Sequence, residues 1–260
     1  MDIFIDQYRP NAVYGDPFAA DVIFLMLGEG PSDGVQVNPT TGTLLLDEVS
    51  NALQGLGNSP FLSGATVSAS VSGMPFGSSW IRHPGGLTSN NFIACTLPAN
   101  YHPRNGPHTW DGFFQLDSLT DTVCLFGDDS NFGGARWNHY CTVGTNGSIG
   151  WNIRTGTDVS GTATSIVTAA GVVTAGVPFH VEVWGDGAGN IGLAVDGIIT
   201  TSTLVASNTA IASFLVGCQN RYEGGFSRVM TGYSKCFRLT GAVRHTANFS
   251  PPISLDEYAL

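Results

Sequence analysis

Acid–base chemistry would have to come from five glutamates: Glu29, Glu48, Glu182, Glu223 and Glu257. Glycoside hydrolysis needs two carboxyls about 5–9.5 Å apart. None of the five has a second carboxylate two residues away, on the same face of a strand. The histidines stand singly along the chain, so no Ser-His-Asp relay is legible. His102 and His108 share a Pro-rich loop with Asp111 close behind, either as exposed loop residues or as a metal site. Asp128-Asp129-Ser130-Asn131-Phe132-Gly133-Gly134 spaces oxygen ligands as calcium loops do, but it lacks the terminal bidentate glutamate. Asp128, Asp129 and Asn131 are therefore either calcium ligands or part of a solvated turn. Trp137, His139 and Tyr140 follow that loop on a predicted strand, and Trp151 lies on the strand's hairpin partner. Such rings are either a stacking platform for a sugar or the core of a sandwich. Gly185 to Gly192 has the glycines of a phosphate loop, but it has no lysine and precedes a strand, which excludes that reading.

The elements that must position these groups are strands. In Ala175 to Thr200, Phe179, Val181 and Val183 alternate with His180, Glu182 and Trp184, the period of a strand with two different faces. Gly185 to Asn190 supplies the turn, Ile191, Leu193 and Val195 resume the alternation, and Asp196-Gly197 turns the chain again. Such a hairpin is barely stable alone, so the sequence predicts that it lies inside a larger sheet with Val181, Val183, Leu193 and Val195 buried. A second hairpin is predicted over Ala135–Val143 and Ser148–Thr155, around Asn146-Gly147. The run Val22 to Leu27 reads as a strand buried on both faces. The loop Pro98 to Thr109 is expected on the surface.

Composition agrees with strands joined by tight turns. The 260 residues include 34 glycines and 13 prolines, while only 12% are charged. The net charge is −10, and Lys235 is the one lysine, so no basic stripe exists to neutralise a nucleic-acid backbone. An acidic surface also repels anionic membranes. The five cysteines are far apart with no C-x-x-C pair, which points to small buried residues rather than a disulfide framework or zinc ribbon. The first residues, MDIFIDQYRP, lack the basic start of a secretory signal, and no apolar run is long enough to cross a bilayer as a helix.

The most specific stretch closes the chain. Phe237 and Leu239 face one way and Arg238 and Thr240 the other. The chain turns at Gly241, Phe249 packs back, and Pro251-Pro252 stops further pairing. Phe237-Arg238-Leu239-Thr240-Gly241-Ala242-Val243-Arg244-His245-Thr246-Ala247-Asn248-Phe249-Ser250-Pro251-Pro252 resembles the ending of laminin G-like, concanavalin-like jelly-roll domains in bacteriophage virion proteins. Phe179 to Val183 with Val195-Asp196-Gly197 is similar to a hairpin of that family. So are Asp16-Pro17-Phe18, Phe76-Gly77-Ser78-Ser79-Trp80, Trp110 to Asp117 and Ser213 to Cys218 to its other strands. Lys235-Cys236 stands where the family has an acidic pair, and His245 where it has a tyrosine. The catalytic E-x-D-x-x-E strand of the β-glucanases of this fold is absent.

The resemblance implies an all-β, antiparallel β-sandwich with jelly-roll topology over residues 16–252, between an arm (1–15) and a short tail (253–260). It further implies a non-enzymatic virion protein, a capsid decoration, fibre or tail component displaying an adhesion domain, with other virion proteins and copies of itself as partners. The alternative is a lectin-like module that binds host-surface glycans. No cofactor is expected unless calcium occupies the acidic loop. Ile3, Phe4 and Ile5 are expected to attach the arm to a neighbouring subunit, because exposed apolar termini invite pairing.

Overall fold

The computed structural model describes residues 18, 21–26, 35–36, 61–63, 66–68, 75, 80–86, 92–96, 106–128, 139–154, 163–204, 213–221 and 225–254. The first strands are β1 (Val22–Met26), β2 (Val35–Gln36), β3 (Phe61–Ser63), β4 (Thr66–Ser68), β5 (Trp80–Pro84) and β6 (Phe92–Thr96). The middle ones are β7 (Pro107–Leu116), β8 (Val123–Asp128), β9 (His139–Val143), β10 (Ile149–Arg154), β11 (Ala163–Val167) and β12 (Phe179–Asp186). The last are β13 (Asn190–Val195), β14 (Ile198–Thr203), β15 (Ser213–Val216), β16 (Gln219–Arg221), β17 (Gly225–Ser227) and β18 (Thr231–Thr240).

All the strands but β16 and β17, which pair with each other, form two large antiparallel sheets. One runs β14-β13-β12-β7-β18-β5-β4-β2, with β1 on β18; the other runs β11-β10-β9-β8-β15-β6-β3. The protein is an all-β sandwich. Between the sheets, Trp110, Phe114 and Phe237 of the first meet Phe126, His139 and Phe214 of the second. Trp110 stands edge-on to Phe214 at 4.8 Å between centroids, and Phe126 lies 5.3 Å from Phe237. Val181, Val183, Ile191 and Leu193 are fully buried in this core and Val195 is 6% exposed, as the alternation predicts. Each such aliphatic side chain contributes about 1.5–3 kcal/mol by leaving water.

Turns fall where the sequence puts them. Asp196 (φ 47°) and Gly197 (φ 78°) are both left-handed, the two-residue reversal whose twist matches its flanking strands. The hairpin β9–β10 closes around Gly147, and Trp151 pairs with Cys141. In β18, Cys236 and Phe237 oppose Gly112 alone, between Lys235↔Phe113 and Arg238↔Asp111. This bulge, with Cys236 at φ 52°, points both Lys235 and Arg238 away from the core. Cys124, Cys141, Cys218 and Cys236 are buried thiols, as expected for small core residues. Burial raises the Cys141 thiol well above its ordinary range, with nearby Cys124 adding to it.

Pro107, His108 and Thr109 belong to β7, and His108 and Thr109 are buried, so the expected surface loop ends earlier than its prolines suggest. Pro107 is tolerated because it is the first residue of its strand. Among the described residues, no helix is long and apolar enough to cross a membrane.

Candidate functional site

The outer face of the larger sheet is not open to water at its centre. Thr109 and Asp111 of β7, His180, Glu182 and Trp184 of β12, and Lys235, Arg238 and Thr240 of β18 are all at most 4% exposed. Residues 242–249 lie over Thr109, His180, Glu182 and the edge of Trp184, crossing the strands without joining the ladder. Thr109 Oγ1 donates to Ala242 O (2.7 Å) and accepts from Arg244 N (3.0 Å). His245 Nδ1 lies 2.8 Å from Glu182 Oε2, and its ring stacks on Phe249 at 3.7 Å. Phe249 stands edge-on to His180 and donates its N–H to Gly197 O at 3.0 Å. Asn248 Oδ1 accepts from Ile199 N (3.0 Å). The arrangement predicted for this stretch, with Phe237 and Leu239 inward, Arg238 and Thr240 outward and Phe249 packed back, is the observed one.

Beneath that segment lies a buried ion pair. Arg238 Nε and Nη2 donate to Asp111 Oδ1 and Oδ2 at 2.9 and 2.8 Å, with exposures of 1% and 0%. His180 Nε2 approaches Asp111 Oδ2 to 3.5 Å. Burial alone raises the Asp111 carboxyl, but Arg238, His180 and Arg244 outweigh it and hold it well below the usual carboxylate range.

Glu182 sits directly opposite Asp111 in the β12–β7 register. A search for carboxylates within one strand misses this cross-strand pair, because only pairing brings the two together. The pair still has no access to a substrate, since both carboxylates are covered and Asp111 is held by Arg238. One pattern in the sequence, Gly30-Pro31-Ser32-Asp33-Gly34, has the G-x-S-x-G form of a nucleophile elbow. That stretch lies outside the described residues.

An open groove begins where the covering segment ends. Trp184, Gly192 and Thr201 form one cross-strand row over β12, β13 and β14. The indole lies across the bare backbone of Gly192, where a Cβ would stand 2.2 Å from its Cε2. Trp184 Nε1 is buried with no hydrogen-bond acceptor among the described residues. Beside the ring, the groove of about 480 Å³ is lined by Asp186, Asn190, Thr201, Ser202 and Thr203, and by Val243 and Thr246 of the covering segment. Small-molecule sites span roughly 300–1,000 Å³. Asp186 Oδ1 accepts from Ala188 N (2.8 Å) and Asn190 N (2.9 Å), and Oδ2 from Asn190 Nδ2. Burial raises the Asp186 carboxyl, but these bonds together outweigh it and hold the group below its ordinary value, which keeps it ionised.

Of the residues singled out in the sequence, the rings that are described lie elsewhere. His139 and Trp151 are fully buried and Tyr140 is 9% exposed, with the His139 ring 5.3 Å from Trp110 and 6.0 Å from Trp151. His139 and Trp151 lie between the sheets, and Tyr140 on the opposite face of β9 lies under the Arg228 guanidinium at 5.6 Å, so none of the three is an open stacking platform. Trp137 lies outside the described residues, as do Asp129, Asn131, His102, Ile3, Phe4 and Ile5; of Asp128 only the backbone, at the end of β8, is described. Among the described residues, no group of three His, Cys, Asp or Glu side chains could hold a metal ion. His108 is a strand residue, and burial pushes its imidazole down to about 4 against the opposing bond to Gly106 O (3.1 Å).

No protein-family model and no curated protein sequence matches the chain. Solved structures do. The binding domain of botulinum neurotoxin serotype D superposes with a TM-score of 0.59 at 8% identity, covering 88% of this chain and 50% of that one. The binding domain of botulinum neurotoxin DC in complex with SialylT gives 0.57 at 9%, covering 88% and 50%. The binding domain of Paraclostridial Mosquitocidal Protein 1 gives 0.58 at 10%, again covering 88% and 50%. The chain thus spans about half the length of the structures it matches, and what it shares with them is the fold, an all-β sandwich.

Proposed function

We propose that this protein is a non-enzymatic glycan-binding module. The observation that carries the reading is the groove beside Trp184, where an indole edge, an ionised carboxylate, a carboxamide and a row of hydroxyls line one open depression. Sugar sites combine an apolar ring surface with a few fixed polar groups in this way. The fold supports it, since the solved structures named above are binding domains and one of them is a complex with SialylT. The covered Asp111–Glu182 pair supports the absence of catalysis.

The carrier of the module is read from the closing stretch Phe237 to Pro252, which resembles the ending of laminin G-like domains in bacteriophage virion proteins. On that reading the chain is displayed on a virion surface, anchored by Ile3, Phe4 and Ile5, and the glycan belongs to the host surface. A glycan array probed with the full chain tests the binding function. Reproducible binding without release of reducing sugar is expected. An array that stays blank, or sugar release that disappears in Glu182→Gln, refutes it. Immunogold labelling of intact particles tests the carrier, and unlabelled particles refute that part.

A further inference from the structure

We infer that the Trp184 groove takes uncharged sugars, neutral hexoses or N-acetylhexosamines, and discriminates against anionic ones. This rests on the glycan-binding reading and adds the ligand class. Asp186 is the one ionisable side chain among the described residues that line the groove; the others are Trp184, Asn190, Val243 and four hydroxyl residues. The nearest arginines in the sequence and the sheet are directed elsewhere. The Arg244 guanidinium lies over the Phe18 ring at 5.0 Å, and that of Arg238 is spent on Asp111. An acidic sugar would therefore meet a carboxylate with no cation from the groove walls to offset it, on a chain of net charge −10.

A neutral sugar meets complementary chemistry. Its hydroxyls find an acceptor in Asp186 Oδ2, whose bond from Asn190 Nδ2 leaves a second lone pair, and partners in Thr201, Ser202, Thr203 and Thr246. Val243 and the small accessible part of the indole, with Trp184 4% exposed, offer an apolar patch for the C–H face of a pyranose. Because Gly192 lacks a side chain, the indole can lie against β13, where a Cβ would clash with it.

Saturation-transfer NMR and titration of the full chain test this with methyl β-galactoside, methyl β-glucoside and N-acetylglucosamine against N-acetylneuraminic acid and glucuronic acid. At least one neutral sugar should bind at least tenfold more tightly than either acid. Thr201→Trp, an exposed substitution that fills the groove, should abolish binding with the melting temperature unchanged. Thr203→Arg, which adds a cation to the rim, should narrow the discrimination. If the acids bind as well as or better than the neutral sugars, the inference fails while the glycan-binding function stands. Neutral binding undiminished in Thr201→Trp also overturns it, by placing the sugar elsewhere. A protein that binds none of the five probes, and nothing on the array, loses both.

Discussion

Replacing Asp111 with Asn keeps the shape of the side chain and removes one partner of a fully buried ion pair. Arg238 would retain its charge at 1% exposure while losing two charge-assisted bonds of 2.9 and 2.8 Å. Removing one partner of such a pair costs about 3–5 kcal/mol, because the other charge stays buried without compensation. Asn keeps one acceptor oxygen, so the expected loss is at the lower end, about 3 kcal/mol. At about 2–4 °C per kcal/mol for a chain of this size, the melting temperature should fall by roughly 6–12 °C. Replacing both partners with apolar side chains, Asp111→Leu with Arg238→Met, should recover most of that loss. The acid limb carries the same signature. The folded-state carboxyl is held below its ordinary 3.8, so below about pH 4 the unfolded chain binds the extra proton. The pair's stabilisation is therefore complete above about pH 5 and is lost as pH falls towards the depressed value; in Asp111→Asn that limb should be shallower. Urea melts of wild type, Asp111→Asn, Asp111→Leu, Arg238→Met and the Leu/Met double variant at pH 7 and pH 3.5 measure both effects. Single variants that melt within a degree of wild type, or a double variant no better than the sum of the singles, would refute the reasoning.

Three further outcomes follow from the same structure. His108 is held neutral at about 4 while the unfolded chain titrates near 6.5, so the unfolded state takes up a proton first; stability should rise by up to about 3 kcal/mol between pH 4 and 6.5, and His108→Gln should flatten that rise in urea melts at pH 4.5 and 7. Gly197→Ala places a Cβ at φ +78°, 1.9 Å from Phe249 O, so it should cost about 1–2 kcal/mol in backbone strain and lift the covering segment, seen as faster amide exchange at Phe249. Leu193→Ala should cost about 2–5 kcal/mol, whereas the exposed Thr200→Ala should stay within about 0.5 kcal/mol, both read from denaturant midpoints.

The hairpins were legible because their signals are local. Alternation in Phe179–Val183 and Ile191–Val195 and the positive-φ residues Asp196 and Gly197 need no knowledge of the rest of the chain. The bulge in β18 was not legible in the same way. Strict alternation through residues 235–239 puts Lys235 on the face of Phe237, and only pairing with Gly112 shows that one extra residue shifts the phase. The rings of His139, Tyr140 and Trp151 carried two readings in the sequence, since alternation marks two faces but does not say what covers either.

That same ambiguity hid the groove. His180, Glu182 and Trp184 alternate with the core residues of β12, and a polar face opposite a core is ordinarily the face in water. Here residues 242–249 lie across it, so His180 and Glu182 are buried and Trp184 stands at the boundary of what is covered. The sequence did hold a trace of this, because charged residues rarely sit in the middle of central strands unless paired. Asp111, Glu182 and Arg238 are each flanked by apolar strand residues, and a stretch rich in aromatic and polar side chains follows directly after Arg238. What the sequence could not supply was registration: β12 beside β7, β7 beside β18, and the final segment turned back over all three. The groove exists because that segment reaches Val243 and Thr246 beside the β12–β14 edge but leaves Asp186, Asn190 and Thr203 uncovered. A site made by where a covering stops has no motif of its own, and it is found only once the covering is in place.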